Sequence, residues 1–442
     1  MVKVKLSKKI STAVINSLGA GVVPREGLEH IAVGREKELQ SLIQNLDDIA
    51  EGVAAFRFVI GNYGSGKSFM LQLIRNRAME QGFVVADADL SSEKRLAGSN
   101  NEGLATYREL MSHLATKTRP DGGALVSILE GWINKIQQEV AANTGMRPND
   151  EGFDDAVEAK IREVIQYIED LVHGFDFGNV ISAYWRGYRQ DDDNLKNAAL
   201  RWLRGEFTTK IEAKQALGVR VIIDDESWYD YIKLLAKFVA EIGYKGLLIM
   251  LDEAVNLYQI PTTVTREKNY NRLLGIFNDT MQCKAEHLGF IIGGTTKFLE
   301  DPNRGLFSDQ AWRRRTKESR FVAQAGVQEF LGPVIRLNPL SEEEILALLL
   351  ILAEIHASNY GSSKVGTREC KDFVQEIVNR LGAEALLTPG EIVRDFISIL
   401  NILHQNPSMK FSDIIHDNKF KPTIAGSDTN VNAEDDVAEF SL

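Results

Sequence analysis

The sequence predicts an α/β protein in which a parallel β-sheet is followed by a separate helical domain. Residues 56–91 run through a strand, a glycine-rich loop, a helix and a second strand, in the order FRFVI, GNYGSGKS, FMLQLIRNRAMEQG and FVVADADLS. Two further apolar runs, LLIML at 247–251 and GFIIG at 289–293, each follow a stretch with helical periodicity. Strands that alternate with helices are typical of a parallel sheet. Residues 341–405 carry helical periodicity only, which indicates a domain of their own.

Length and composition indicate a globular protein of two or three domains. The chain has 442 residues, 44% of them hydrophobic, which is more than one ordinary core needs. Its formal charge of −11 argues against a uniformly basic nucleic-acid-binding surface, although local basic patches remain possible. Cys283 and Cys370 are far apart and belong to no CxxC motif, so neither a disulfide framework nor a structural zinc site is expected.

The N-terminal stretch MVKVKLSKKISTAVINSLGAG contains basic residues but no apolar core of the length that a signal peptide needs. No apolar run in the sequence is long enough to span a bilayer. We therefore expect a cytoplasmic protein that does not cross a membrane.

The elements follow in order along the chain. A helix is predicted behind the turn-like Val33-Gly34-Arg35, because Glu36, Leu39 and Leu42 recur at helical spacing. After the second strand, residues 92–220 form a helical block, with Gly, Pro and Asp separating its segments. A further helix at 226–242 would be capped by Asp224-Asp225 and leads into LLIML.

A helix at 270–286 precedes the strand GFIIG, and a short strand at 333–337 completes the α/β part. Ser341 and Glu344 have the spacing of a capping box at the start of the helical domain. The acidic end, GSDTNVNAEDDVAEFSL, is predicted to be disordered.

The loop GNYGSGKS has the pattern of a phosphate-binding loop. Phosphate oxygens need several backbone N–H donors that converge on one concavity, and glycines at 61, 64 and 66 permit the necessary backbone conformations. We expect Lys67 to contact the β- and γ-phosphates and Ser68 to ligate Mg²⁺, with the N-terminus of the following helix adding its dipole. The predicted nucleotide-binding residues of the loop are Gly61, Asn62, Tyr63, Gly64, Ser65, Gly66, Lys67, Ser68 and the adjoining Phe69.

A second acidic element is predicted to complete the metal site. Asp252 and Glu253 directly follow the buried strand LLIML, at the end of the strand where ligands bind in open α/β sheets. Asp252 would hold Mg²⁺ through its water shell, and Glu253 would polarise the attacking water.

Three further groups are candidates for contacts with the γ-phosphate. Thr295 or Thr296 ends the strand GFIIG and could hydrogen-bond the phosphate or the water, or simply form a turn. The arginine cluster at 313–320, which consists of Arg313, Arg314, Arg315 and Arg320, could present an arginine to an adjacent subunit. The same stretch could equally be a solvated helix or a DNA-backbone contact.

Arg394 lies one turn into a helix that opens at Pro389 and could face the nucleotide, or be an ordinary surface arginine.

The ordered set of motifs resembles the AAA+ class of P-loop ATPases, nearest to its initiator (ORC/Cdc6-like) and STAND-like branches. The set includes AVGREKEL with Arg35, which the resemblance assigns to the nucleotide site, and then GNYGSGKS, LLIMLDE, Thr295-Thr296, the arginine cluster, IRLNPLSEEEI and Arg394. A closer likeness is to the ATP-binding proteins of bacterial BREX-type phage-defence loci, the BrxC/BrxD-like family. It covers roughly residues 20–420, in the stretches FRFVIGNYGSGKSFML, ALRWLRGEFTTKIEAKQALGV, LLIMLDEAVNLY, GFIIGGTTKFLEDPNRGLFS and LLTPGEIVRDF.

The resemblance implies ATP hydrolysis, a homo-oligomer with nucleotide between subunits, and a role beside DNA and other defence-operon proteins. It also implies a domain plan: a leader and helix at 1–50, an ATPase core at 51–340 with a helical insertion at about 92–220, a helical lid at 341–424 and an acidic tail at 425–442. Gly390 stands where such lid helices often carry an arginine after proline, so Arg394 becomes the lid sensor. The alternatives to an ATPase are an ATP-gated switch or scaffold with little turnover and a DNA-binding module that uses the arginine cluster.

Overall fold

The computed structural model describes residues 6–317, 329–361, 365–381, 388–416 and 422. The chain divides into two compact units. One comprises Met1–Lys37, Gly61–Leu73 and Arg336–Leu442, and the other comprises Glu38–Ile60 and Ile74–Ile335. Arg320 and the acidic tail at 425–442, both of which figure in the sequence predictions, lie outside the described residues.

The sheet has five strands in the order β2-β3-β4-β1-β5. Strand β3 pairs in parallel with β2 and β4, and β4 pairs in parallel with β1. The strands are β1 (Ala55–Ile60), β2 (Val84–Asp89), β3 (Leu247–Asp252), β4 (Leu288–Gly294) and β5 (Val334–Arg336). The predicted α/β class and parallel sheet are therefore confirmed. Because the strands run in parallel, the carboxyl ends of β1, β2, β3 and β4 lie at one edge of the sheet.

Helices occupy most of the remaining described chain. Those before β3 are α1 (Lys8–Gly19), α2 (Glu36–Ala50), α3 (Lys67–Glu80), α4 (Glu102–Ser112), α5 (Leu125–Thr144), α6 (Phe153–Glu169), α7 (Gly174–Gln190), α8 (Asp193–Leu203), α9 (Lys210–Leu217) and α10 (Trp228–Glu241). Those after β3 are α11 (Val255–Gln259), α12 (Thr263–Met281), α13 (Thr296–Glu300), α14 (Gln310–Thr316), α15 (Glu342–Tyr360), α16 (Thr367–Leu381), α17 (Pro389–Gln405) and α18 (Phe411–Ile415). Short 3₁₀ turns occur at Leu28–His30 and Leu306–Ser308. Among the described residues, no helix combines the length and apolarity needed to cross a membrane.

Aromatic side chains fill the core around β1. The ring of Phe58 lies 5.6 Å from that of Trp312, and the ring of Phe56 lies 5.3 Å from that of Phe277. All these contacts have edge-to-face geometry, which adds about 0.5–1.5 kcal/mol per pair beyond the burial of area. Trp312 is fully buried, so it fixes the short helix α14 against the sheet.

The predicted helical block between β2 and β3 consists of α4 to α9, and it packs on α10. Trp132 of α5 and Phe177 of α7 both contact the ring of Phe238, at 5.1 and 5.8 Å between ring centroids.

The expected cap of α10 is confirmed for Asp224 and wrong for Asp225. Oδ1 of Asp224 accepts the N–H groups of Glu226 and Ser227, at 3.1 and 2.9 Å, just before the helix begins at Trp228. Asp225 instead accepts hydrogen bonds from the N–H groups of Gly103 and Leu104, in the first turn of α4. A carboxylate buried to this degree needs such donors, and a distant part of the chain provides them.

Helix α1 and the C-terminal helices belong to the unit that comprises Met1–Lys37, Gly61–Leu73 and Arg336–Leu442. Helix α1, which the sequence analysis did not distinguish within the N-terminal leader, is capped by Ser7 and buries Val14 and Ile15. It contacts α15 and α17, and the hydroxyl of Ser11 donates to the side chain of Asn359 on α15. The predicted capping box at the start of α15 is confirmed, since Ser341 and Glu344 exchange both hydrogen bonds.

Candidate functional site

The loop between β1 and α3 has the backbone conformation that the glycine pattern predicts. Gly64 and Gly66 have φ angles of +73° and +93°, in the region that L-residues enter at a cost of about 1–2 kcal/mol. A Cβ atom at Gly61 would stand 2.3 Å from Oγ of Ser65, and one at Gly64 would stand 2.9 Å from Cβ of Thr388. Glycine is therefore required at these positions by conformation and by space.

Lys67 is the first residue of α3, and its side chain turns back over the loop. It is buried, with 9% of its surface exposed, and Nζ donates to the carbonyl oxygen of Asn62 at 2.9 Å. Nζ also lies 5.4 Å from the centre of the Tyr63 ring, a cation–π distance. The ammonium group is thus held beside the loop that was predicted to bind phosphate.

Ser65 tests whether the loop fits a phosphate group. Its hydroxyl is fully buried and has no hydrogen-bond partner among the described residues. A buried hydroxyl without a partner costs about 1–3 kcal/mol, which a phosphate oxygen in the loop would recover. Together with the left-handed glycines and Lys67, this hydroxyl makes the loop fit a polyphosphate.

Ser68 and Phe69 follow Lys67 in the first turn of α3, where Ser68 is exposed and Phe69 is half-buried. The predicted metal ligands, the hydroxyl of Ser68 and the carboxylate of Asp252, are both hard oxygen donors. Such a donor set suits Mg²⁺.

Arg35 contacts the backbone of the loop. It is buried, and its Nη2 donates to the carbonyl oxygens of Ser65, at 3.2 Å, and of Asn338, at 2.8 Å. The guanidinium therefore ties the loop to the segment that leads into α15. Its predicted contact with a nucleotide stays a prediction.

Helix α17 begins at the loop. The N–H of Gly390 donates to the carbonyl oxygen of Gly64 at 3.2 Å, and Thr388 fills the space beside Gly64. One turn further along, Arg394 forms an ion pair with Glu391, at 3.2 Å between Nη2 and Oε2. The predicted contact of Arg394 with a nucleotide also stays a prediction.

The acidic turn after β3 lies in the unit that comprises Glu38–Ile60 and Ile74–Ile335. Glu253 has a φ angle of +56°, in the left-handed region, and its N–H donates to Oδ1 of Asp252 at 2.8 Å. The carbonyl of Asp252 accepts from Leu90, after β2, and the N–H of Ala254 donates to Gly293 of β4, both at 3.0 Å. The turn is therefore held from the strands on both sides, which sustains a strained conformation of the kind that clusters at functional sites.

Asp89 is an acidic residue at this edge that was not among the predicted site residues. It ends β2 and is the register partner of Asp252 on β3. Partial burial raises the pKa of Asp89, and the negative charges of Asp252, Glu109 and Asp87 raise it further. Its signal in the sequence was the acidic end of FVVADADLS, in the position that Asp252 occupies after LLIML.

The threonines after β4 begin α13. Thr295 is buried and acts as the N-cap, since its Oγ1 accepts the N–H of Phe298 at 3.3 Å. Thr296 is the first residue of that helix and is half-buried. The cap gives Thr295 a structural role, and a role of either threonine toward a phosphate remains a prediction.

The arginines of α14 are all exposed, while the neighbouring Trp312 is buried. Arg313 donates to the carbonyl of Phe307 at 2.9 Å, and Arg315 donates to that of Ala311 at 3.0 Å. Within the part of the chain that the structure describes, Arg314 makes no hydrogen bond or ion pair. Arg314 is therefore the arginine of this helix that is most available to a partner molecule.

A comparison with family models finds a match over residues 6–419. The matching model is described as BREX system ATP-binding protein BrxC/D. The predicted resemblance to this family is thereby confirmed. A comparison with curated proteins finds no match.

Proposed function

The chain belongs to the BREX system ATP-binding proteins BrxC/D, and on that premise we propose that it is a magnesium-dependent ATPase of the AAA+ class. One observation carries the proposal beyond ATP binding: Glu253 is held in a strained turn directly after β3, next to Asp252. The phosphate loop begins directly after β1, whose carboxyl end lies at the same edge of the sheet as that of β3. A strained residue of this kind is typical of active sites, so its position beside Asp252 supports hydrolysis in addition to binding.

In the proposed reaction, water attacks the γ-phosphorus of ATP, and the bond to the β-phosphate oxygen breaks to give ADP and phosphate. Lys67 and the N–H groups of the loop bind the phosphates, while Glu253 orients the water and accepts its proton. Ser68 and Asp252 would hold Mg²⁺, which when bound neutralises charge on the β- and γ-phosphate oxygens.

The remaining predicted residues would contact the γ-phosphate or respond to its presence. Thr295 or Thr296 would contact the phosphate or the water, and Arg394 would respond to the nucleotide from the lid. Arg314 or Arg315 would reach the nucleotide of a neighbouring subunit, where arginine offsets the negative charge of the transition state. In such an ATPase the sheet would be the AAA+ core, α4 to α9 an insertion and α15 to α18 the lid.

The proposed biological role is conformational work in anti-phage defence. An oligomer of the chain, driven by ATP turnover in the cytoplasm, would act on DNA or on a DNA-acting partner from the same defence system. The exposed arginines of α14 support either contact, because phosphate groups and carboxylates both bind guanidinium.

The test is to measure ATP affinity and phosphate release for the purified chain with Mg²⁺, alone and with double-stranded DNA, single-stranded DNA or operon partners. Glu253→Gln should bind ATP as the unmodified chain does and lose turnover, because the amide cannot accept the proton. Lys67→Ala should lose turnover and should also bind ATP more weakly. Absence of turnover under all these conditions, or unchanged turnover in Glu253→Gln, would refute an ATPase.

An ATP-gated switch with little turnover is the second candidate. It is favoured by the two backbone contacts of the loop, from Arg35 and from Gly390, through which occupancy of the loop would be sensed by α15 and α17. A switch should assemble in proportion to bound ATP, and Glu253→Gln should leave that assembly intact. An ATPase motor should instead lose its function in the same variant.

A further inference from the structure

Asn256 lies three residues after Glu253, in the first turn of α11. Its side-chain amide donates to two carbonyl oxygens, that of Leu90 at 2.8 Å and that of Glu253 at 3.2 Å. Its backbone N–H also donates to the carbonyl of Glu253, at 2.9 Å. One side chain thus joins the end of β2 to the residue proposed to activate water.

The chemistry of the position requires an amide. Both acceptors are carbonyl oxygens, so the side chain must supply two N–H donors from one nitrogen, and asparagine does so at this length. Aspartate has the same size but no N–H to donate, and its carboxylate oxygens would repel both carbonyl oxygens. Alanine would leave both carbonyls without these donors.

The conformation of Glu253 explains why such a support is needed. A residue other than glycine at φ +56° persists only where its surroundings hold it. The hydrogen bond from Ala254 to Gly293 holds the following residue on the side of β4, and Asn256 holds the turn on the side of β2.

We propose that Asn256 is a positioning residue for the hydrolytic step, which fixes the strained turn so that the Glu253 carboxylate can activate water. This inference rests on the proposed function, since it concerns the carboxylate that the ATPase reaction would use. Asn256 itself touches neither nucleotide nor water in this proposal.

Loss of Asn256 should leave the fold intact. The other end of α11 is held separately, because Arg304 donates to the carbonyls of Tyr258, Gln259 and Ile260, at 2.7, 3.1 and 2.9 Å. Gln259, on the same short helix, is exposed, so Gln259→Ala is a matched control for general weakening of α11.

The experiment compares Asn256→Ala, Asn256→Asp and Gln259→Ala in the full chain by steady-state ATP hydrolysis. We expect kcat to fall about 30-fold in Asn256→Ala, as misplacement of a catalytic group does, and at least as far in Asn256→Asp. KM for ATP, ATP affinity and the melting temperature should stay close to those of the unmodified chain, as should all values for Gln259→Ala. Unchanged kcat in Asn256→Ala, or a parallel loss of kcat, affinity and melting temperature, would overturn the inference.

Amide hydrogen exchange provides a measurement that does not depend on turnover. Exchange of the Ala254 N–H should be about tenfold faster in Asn256→Ala, because its bond to Gly293 depends on the same turn. If the unmodified chain hydrolyses no ATP, the proposed function fails, and exchange alone decides for Asn256. Faster exchange then supports its role in holding the turn, and unchanged exchange overturns it.

Discussion

The N–H of Gly390 donates to the carbonyl oxygen of Gly64, 3.2 Å away, so the first turn of α17 directly contacts the loop GNYGSGKS between β1 and α3. The contact lies beside Thr388, at the position where Gly64 has no room for a side chain. A change of loop conformation on binding ATP would therefore alter a hydrogen bond to a helix of the C-terminal region. The consequences can be tested at each residue that forms this arrangement.

Gly64→Ala should weaken ATP binding by about tenfold, because the φ angle of +73° becomes strained by about 1–2 kcal/mol and the new methyl group meets Thr388. Gly145→Ala is the matched control, with a φ angle of +74° and nothing within 4 Å of its Cβ position. Both variants should melt at lower temperature, and only Gly64→Ala should lose affinity in a nucleotide titration. Equal loss of affinity in both would show that the contact with Thr388 is irrelevant.

Arg35→Lys should destabilise the chain by about 2 kcal/mol and lower ATP affinity. The lysine side chain ends one atom short of Nη2, the nitrogen that donates to both carbonyls, so the substitution leaves them without their buried donor. Arg77→Ala, which removes an exposed ion pair with Glu80, should change stability by less than about 1 kcal/mol. Denaturant unfolding and nucleotide titration measure the two effects. The proposed anchoring of the loop fails if Arg35→Lys binds ATP with unchanged affinity.

Arg314→Ala should reduce turnover by about 10³-fold in the assembled protein and leave ATP affinity unchanged, as expected for an arginine that acts across a subunit boundary. Arg313→Ala should have a smaller effect, because Arg313 is engaged by the carbonyl of Phe307.

Mixing Arg314→Ala with Glu253→Gln provides the decisive measurement for this arginine. Some interfaces then combine an intact Glu253 from one subunit with an intact Arg314 from the other, so turnover should reappear. If the mixture is no more active than the sum of its parts, Arg314 does not act between subunits. A loss of salt-dependent DNA affinity in Arg314→Ala would assign the residue to DNA instead.

The C-terminal helices should lose stability in mild acid. Burial, and then the neighbouring His404, lower the pKa of His356 below 6.5, although its hydrogen bond with Asn401 opposes the shift. The unfolded chain therefore binds a proton more readily, so this contribution to stability is complete above pH 6.5 and is lost as the pH falls toward the lower folded pKa.

Urea unfolding between pH 8 and pH 5, with markers on α15 and α17, measures this dependence. His356→Gln should flatten it, whereas His30→Gln, at a partly exposed position, should not. If the free energy of unfolding depends on pH in the same way in His356→Gln, groups other than His356 cause the dependence.

The sequence was sufficient for the elements whose signals are local. Apolar runs predicted the strands, the glycine pattern predicted the loop, and the spacing of Ser341 and Glu344 predicted a capping box that the structure confirms. Features that depend on contacts between residues far apart in the chain were not predicted from the sequence. Helix α1 is buried by α15 and α17, and Asp225 caps α4 rather than α10.

In the candidate site, too, the residues that belong to a local motif were predicted and the contacts between distant residues were not. Lys67 and the glycines follow a motif, and the structure gives the loop the expected backbone. The bond from Asn256 to Leu90, and the contact of Arg35 with the loop, join residues that no motif connects. Hydrogen bonds between distant parts of the chain leave no periodic pattern in a sequence, so these contacts are found only in the folded structure.

The buried indole of Trp312 has a geometric consequence for the arginines that α14 exposes. Its ring packs on Phe58 of β1, at 5.6 Å, and on Phe277 of α12, at 5.4 Å between ring centres. The direction in which those arginines leave the surface is therefore set by side chains of the core. A smaller residue at 312 would remove both contacts, so the arginines would hold less fixed positions toward any molecule that binds them.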